Sequence, residues 1–396
     1  MKNIFAFFYL FLVSQISTTA QTWTTYTTSN GLVYNSVKTI AIDKQGKKWI
    51  GTLGGVSEFN DTNWTTYKTT DGLANNYVNV IGIDTSGNKW FGTNGNSGLS
   101  EFNDTTWATY TTANGLAHNN VFAIAIDSLG NKWFGTPNGV SEFDGTSWTT
   151  YNIIDGLANN NVISIAIDKQ GNKWFGTLGG GVSKFDGTNW KKYCSMDGIS
   201  ISNNNVHCIA IDQQGNKWFG TDGGVNKLHD TTWVRYTTDS GLVNNTIQSI
   251  AIDSNGIIWF GTPAGVSRFN GHSWTTYSTA NGLVNNNVTS IAIDEQGSIW
   301  FGTHGGVSKL SEPNGIPEVN QTSPYVTLYP NPAQNIIYIN HVESGDMIMI
   351  YDINGKLISD EKVFNNKIDI TNLETGFYIL KIIGKNYIST KKFVKN

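Results

Sequence analysis

Seven copies of one tryptophan-bearing unit, four short β patterns in each copy, and an unmatched strand at the N-terminus predict an all-β protein. The expected fold is a seven-bladed β-propeller over residues 21–310, closed by its N-terminal strand, then a small antiparallel β-sandwich over 325–396. Residues 1–20 read as a signal peptide and 311–324 as a linker.

The elements follow in chain order. The opening MKNIFAFFYLFLVSQISTTA has one positive charge, an apolar run from Ile4 to Val13, and small residues before Gln21, so cleavage is expected after Ala20. That apolar run is shorter than the roughly 20 residues a spanning helix needs, and no later segment approaches that length. An exported protein without a transmembrane helix is expected, and no cysteine near the cut suggests a lipid anchor. The only cysteines are Cys194 and Cys208; a disulfide is chemically open to them in an oxidising compartment but is not expected. The net charge of −4 gives no basic footprint for nucleic acid or an anionic membrane.

Seven tryptophans, Trp49, Trp90, Trp133, Trp174, Trp218, Trp259 and Trp300, mark the repeat inside a W-F/I-G-T motif. A second set, Trp23, Trp64, Trp107, Trp148, Trp190, Trp233 and Trp274, opens seven copies of WxxY, which uses all 14 tryptophans of the chain. A residue needed equally in every blade is expected to pack between blades rather than to touch a ligand. The first turn of each blade is Asp-x-x-Gly, from Asp43/Gly46 to Asp294/Gly297, where glycine supplies positive φ and the Asp side chain caps the turn. After Leu310 no WxxY follows, so Trp23 to Tyr26 is expected to complete the seventh blade beside Val307 to Leu310.

The unit, as in GLANNNVISIAIDKQGNKWFGTLGGGVSKF, resembles the two-component regulator propeller repeat. In that family such repeats form periplasmic sensors of hybrid two-component systems, often sensing oligosaccharides. No kinase, receiver or helix-turn-helix segment follows in this sequence, so the propeller is expected to work without that machinery.

The segment SEPNGIPEVNQTSP breaks the period and reads as a linker. Beyond it, VTLYPNP, NIIYIN, MIMIYDINGKLIS, KIDI and FYILKII give alternating strand patterns, with a turn at Asn354 and Gly355. This tail resembles the type A C-terminal sorting domain of the type IX secretion system. The resemblance rests on Tyr329, Pro330, Asn331 and Pro332, then Tyr351, Asp352, Asn354, Gly355 and Lys356, then Asp369, Leu373, Gly376 and Tyr378, and the terminal Lys392 and Lys395. It implies passage across the outer membrane of a Gram-negative bacterium by the type IX machinery, then release or surface attachment.

In an up-and-down blade, the loop between the second and third strands and the loop between blades emerge at one end of the ring, which is the expected binding face. Asp222 and His304 are the only ionisable residues in the first kind of loop, and Asn96 lies in the longest one. The loops between blades carry a recurring middle asparagine, Asn35, Asn76, Asn119, Asn160, Asn204, Asn245 and Asn286, which reads as turn chemistry. Tyr34, Tyr77 and His118 depart from the pattern around it and are the better ligand candidates. Aromatics beside amides suit sugar recognition, so an extracellular glycan is the expected ligand and a non-catalytic role the expected function. The alternatives are a polysaccharide lyase or hydrolase, for instance around His118 and His304, and a structural or adhesive protein-binding surface. No HExxH, GxSxG or calcium loop is present, and neither a cofactor nor a metal is expected.

Overall fold

The computed structural model describes residues 21–195, 201–311, 326–340, 342, 344–352, 357–362, 366–383 and 388–396. The expected signal peptide, all but Ser311 of the expected linker over 311–324, and the turn expected at Asn354 and Gly355 lie outside these residues. The chain divides into two compact units, one ending at Pro313 and the other starting at Asn314.

The first unit is a ring of seven four-stranded antiparallel sheets. Blade 1 contains Val37–Ile42, Lys48–Thr52, Gly55–Phe59 and Trp64–Tyr67, from the inside outward, and five further blades repeat that order. Blade 7 takes Val288–Ile293, Ile299–Thr303 and Gly306–Ser311 from the end of the unit, and its outermost strand, Thr22–Tyr26, from the start. The expected closure is present in register, with Trp23 opposite Leu310 and Tyr26 opposite Val307.

Each letter of the W-F/I-G-T motif has a physical reason. The seven tryptophans of this motif are at most 2% exposed. Trp49 packs in one apolar cluster with Phe91, Phe102 and Val78 of blade 2, and the clusters at the other joints repeat this pairing of adjacent blades. Burying such a side chain is worth about 4 to 6 kcal/mol as an upper bound. In six of the seven blades the indole N–H donates to the Asp of the first turn, as from Trp49 to Asp43 at 2.9 Å and from Trp300 to Asp294 at 2.8 Å. The same carboxylate accepts the backbone N–H four residues on, in all seven blades. The glycine allows close approach of the next blade: a Cβ on Gly51 would lie 2.8 Å from Val78, and one on Gly302 would lie 2.6 Å from Val37. The threonine hydroxyl donates across the following turn, as from Thr52 to the Gly55 carbonyl at 2.8 Å, again in every blade.

The second tryptophan set serves the joints from the outside. Trp107 stacks on Phe102 and lies against Gly72, which has φ of 117° and would place a Cβ 2.7 Å from the indole. Cations complete the joints: Lys89 lies over Trp49 of the preceding blade, and Lys48 of blade 1 over Trp300 of blade 7. In blades 6 and 7 the corresponding residues are Ile258 and Ile299, and there Lys227 and Arg268 cover Trp218 and Trp259 from the same blade instead.

The second unit contains a three-stranded sheet, with Ile336–Ile339 between Leu328–Tyr329 and Lys367–Asp369, and a four-stranded sheet. In the latter, Met347–Asp352 and Gly376–Ile383 are central, and Leu357–Lys362 and Ile388–Lys395 lie at the edges. The last strand was not among the expected ones, because ISTKKFVK carries three lysines and little alternation. Its Phe393 nevertheless reaches the core shared by Ile337, Ile350, Ile368 and Leu380.

Candidate functional site

The loops between blades are built on asparagine. The middle Asn of each loop accepts a backbone N–H seven or nine residues upstream, as Asn35 does from Thr28 at 2.8 Å and Asn204 from Ser195 at 2.8 Å. All seven do so, which identifies them as turn chemistry. The Asn one position earlier accepts the backbone N–H two residues on, as Asn75 does from Tyr77 and Asn285 from Asn287. His118 stands in for that Asn, its Nδ1 accepting from the Asn120 N–H at 2.9 Å. Tyr34 stands at the same position in blade 1, where it is 48% exposed and lies against Gly54.

In five blades the innermost strand slips register immediately after the loop. In blades 1, 2, 4, 5 and 7 one residue is left unpaired between two ladder positions, as between Val37 and Thr39. The second residue of each innermost run lies at the start of the first strand of its blade, just after the loop. These residues are Lys38, Asn79, Phe122, Ile163, His207, Gln248 and Thr289, all half-buried and no two alike. The residue before each of them is valine or isoleucine in every blade, and the residue after it is a small one, Thr, Val, Ala, Ser or Cys.

Two clusters form on this ring. In blade 5, Asp222 Oδ1 lies 2.7 Å from His207 Nε2, and its Oδ2 accepts from Asn205 Nδ2 at 2.8 Å. Burial alone would raise the Asp222 carboxyl, but the bonds from Asn205 and His207 and the charge of His207 outweigh it and hold the group below the usual carboxylate range. Arg235 caps the adjacent Gly223 carbonyl at 2.9 Å. In the second cluster, Lys38 Nζ lies 5.8 Å from the Tyr77 ring centroid. His304 Nδ1 faces Asn287 Nδ2 at 3.4 Å, and burial, followed by the charge of Lys38, lowers the His304 imidazole from its ordinary value.

Of the residues expected to bind, Tyr77 and His304 are therefore linked through Lys38, and Asp222 is joined to His207 and Asn205. Asn96 lies apart, exposed with φ of 59°, its N–H donating to Asn120 of the next loop. Tyr34 and His118 fall outside both clusters. Lys38 and His207 were missed because the strand pattern hides a bulge. The readable signal was that one position of the repeat differs in all seven copies.

The residues of the tail motif also converge. Asn331 donates to the Lys392 carbonyl at 3.1 Å and accepts from the Val394 N–H at 2.9 Å, tying the Tyr329–Pro332 segment to the last strand. Gly376 pairs with Lys395, Asp352 with Tyr378, and Tyr378 stacks on Phe393 at 5.5 Å. Gly355 lies outside the described residues. Among the described residues no disulfide joins Cys194 and Cys208, and burial pushes the Cys208 thiol up. No described helix is long and apolar enough to cross a membrane.

Comparison with known families agrees with this division. Residues 327–396 match the secretion system C-terminal sorting domain. Residues 156–179, 200–223, 241–264 and 282–305 match the two component regulator propeller. Among solved structures, the chain is similar to the extracellular domain of BT3049 from B. thetaiotaomicron, assigned to a hybrid two component system. The identity is 22% and the TM-score 0.67, covering 95% of this chain and 57% of that one. It is also similar to PorZ, an essential surface component of the type-IX secretion system of Porphyromonas gingivalis, with 18% identity and a TM-score of 0.60 over 92% of this chain and 60% of that one. A streptogramin B lyase structure shares 15% identity with a TM-score of 0.60, over 74% of this chain and 97% of that one. The chain thus spans about three fifths of the first two, and at these identities the likeness establishes the propeller fold. No curated protein sequence matches it. The chain carries regulator-propeller repeats and a type IX sorting tail, and a protein with that tail is secreted or held at the cell surface.

Proposed function

We propose that this protein is a non-catalytic binding propeller that recognises an extracellular glycan at the loop-bearing end of its ring, and that its tail engages the type IX secretion machinery. The observation that carries this reading is the set of seven unlike residues, from Lys38 to Thr289, at a position that always follows a valine or isoleucine. A position that must only pack has no reason to hold Lys, Asn, Phe, Ile, His, Gln and Thr in turn. Side chains that donate and accept hydrogen bonds beside the exposed Tyr34 and the half-buried Tyr77 suit a sugar, which presents hydroxyls at its rim and C–H groups on its faces. Tyr34, Tyr77, Asn96, His118, Asp222 and His304 are the contacts assigned from sequence, and Lys38, Asn205 and His207 join them.

The test is a thermal-shift screen of the full chain against oligosaccharides and polysaccharide digests, with each mixture analysed for new products. A ligand at about 100 times its dissociation constant adds about 2.7 kcal/mol to stability. A rise in Tm without new products is expected. Products would instead identify a lyase or hydrolase, and the absence of any shift would indicate a surface that binds other proteins.

A further inference from the structure

We infer that the glycan is non-acidic and is held at blade 5, where two adjacent donors, hydroxyls or a hydroxyl and an amine, meet the Asp222 carboxylate; the inference rests on the glycan reading above. Three side chains form this corner, at positions the fold leaves free. The turn that carries Asp222 is closed by Thr221, whose Oγ1 accepts from the Gly223 N–H at 3.0 Å and donates to the Gly224 carbonyl at 2.8 Å. The same two bonds close the corresponding turns where Leu53, Pro137, Pro263 and His304 stand in place of Asp222. His207 occupies the position that differs in every blade, and Ser36, Tyr77 and Thr246 take the place of Asn205 in blades 1, 2 and 6.

Although the fold does not require them, the three are bonded to one another. Asp222 Oδ1 lies 2.7 Å from His207 Nε2, and Oδ2 accepts from Asn205 Nδ2 at 2.8 Å, so each carboxylate oxygen is anchored once. A carboxylate has about four acceptor sites, which leaves about two for a ligand. Against a charged carboxylate His207 Nε2 donates, and Nδ1 of the neutral ring is then a further acceptor, with no partner among the described residues. The corner is open to solvent, with the Asp222 side chain 36% exposed and that of His207 27%. Among the described residues no Lys or Arg lies within ion-pair distance of Asp222, and Arg235 donates instead to the Gly223 carbonyl, at 3.2 and 2.9 Å.

An anchored carboxylate with acceptor sites to spare asks its ligand for donors. Neighbouring hydroxyls on a sugar ring supply two side by side, one for each oxygen, and hydrogen bonds to an ionised acceptor are about twice as strong as neutral ones. A uronate or sulfate ester at the same point would set a second negative charge against the first, which selects against it.

Four probes distinguish the outcomes, each titrated into the full chain by calorimetry: cellotetraose, mannotetraose, a chitosan tetramer and tetragalacturonate. At least one of the first three is expected to bind about tenfold to a hundredfold more tightly than tetragalacturonate. If that one is the chitosan tetramer, added salt should weaken it; if it is a neutral tetraose, salt should have little effect. Asp222→Leu should remove the preference without lowering Tm, because Leu53 and Leu178 fill the equivalent position in blades 1 and 4. Asp222→Asn, which keeps the shape and loses the charge, should narrow the preference, and Lys169→Gln, in a first turn at the other end of the ring, should leave it unchanged. Binding of a non-acidic tetraose untouched by Asp222→Leu and by His207→Gln would overturn the inference and leave the glycan reading intact. Tetragalacturonate binding as tightly as the other three would also overturn it while upholding that reading. If none of the oligosaccharides binds, the glycan reading falls and this inference with it.

Discussion

Asp222 replaces the Leu, Asn, Pro or His of its counterparts, and its neighbours His207 and Asn205 hold it charged. Single substitutions of this kind would set the chemistry of the proposed site, and protonation of such groups gives pH signatures. The His304 imidazole is depressed from 6.5, so on acidification the unfolded chain takes up that proton first. Stability from neutral His304 is full above about pH 6.5 and is lost as pH falls toward the folded-state value. His304→Gln should therefore flatten the decline of Tm as pH falls below about 6.5, read from thermal melts. The outer tyrosines act at the other extreme. Burial, then a hydrogen bond to Glu142 at 2.9 Å, pushes Tyr151 up to about 12, and Tyr110 beside Glu101 is also pushed up to about 12. Stability from these protonated phenols is present below about pH 10 and is lost as pH rises through the folded value. Glu142→Gln should bring one tyrosine ionisation back toward 10 in an alkaline absorbance titration. None of these shifts could be read from sequence, since each depends on which residue of the neighbouring strand stands opposite.

At the scale of the strand and turn, the sequence was most legible where the fold repeats. Seven copies of W-F/I-G-T and Asp-x-x-Gly report one local geometry seven times, so accidental matches average out and the true period remains. The bulge was not legible, because Val37, Lys38 and Thr39 read equally well as a regular strand until the pairing partner, Thr52 to Val37 and Gly51 to Thr39, is known. Nor was the last strand of the tail, whose lysines mask a core contact through Phe393. The turn glycines are a further element-scale dependence. Gly72→Ala would hold alanine at φ of 117° and press its Cβ against Trp107, so a loss of about 1 to 3 kcal/mol is expected in denaturant unfolding. Gly46→Ala, at φ of 79° with open space around it, tests the backbone cost alone and should lose less.

For the ring as a whole, integrity rests on one non-covalent joint, the pairing of Thr22–Tyr26 with Gly306–Ser311. Further bonds reinforce the seam, from Thr289 Oγ1 to the Val37 carbonyl at 2.8 Å and from the Ile40 N–H to Ser290 Oγ at 3.0 Å. Deleting residues 21–26 should leave Gly306–Ser311 as an unpaired edge, lowering Tm and promoting aggregation, which light scattering would detect. This closure was legible because a spare WxxY at one end of the repeats matched a missing one at the other. What the joint also imposes is an order in time. The first strand of the ring to leave the ribosome is the last to find its partner, which is made about 280 residues later. The six intervening blades can each form from neighbouring segments, but the circle stays open until Ser311 has been synthesised. A chain interrupted before that point keeps both its free edges, so the ring can close only once the seventh blade has been made.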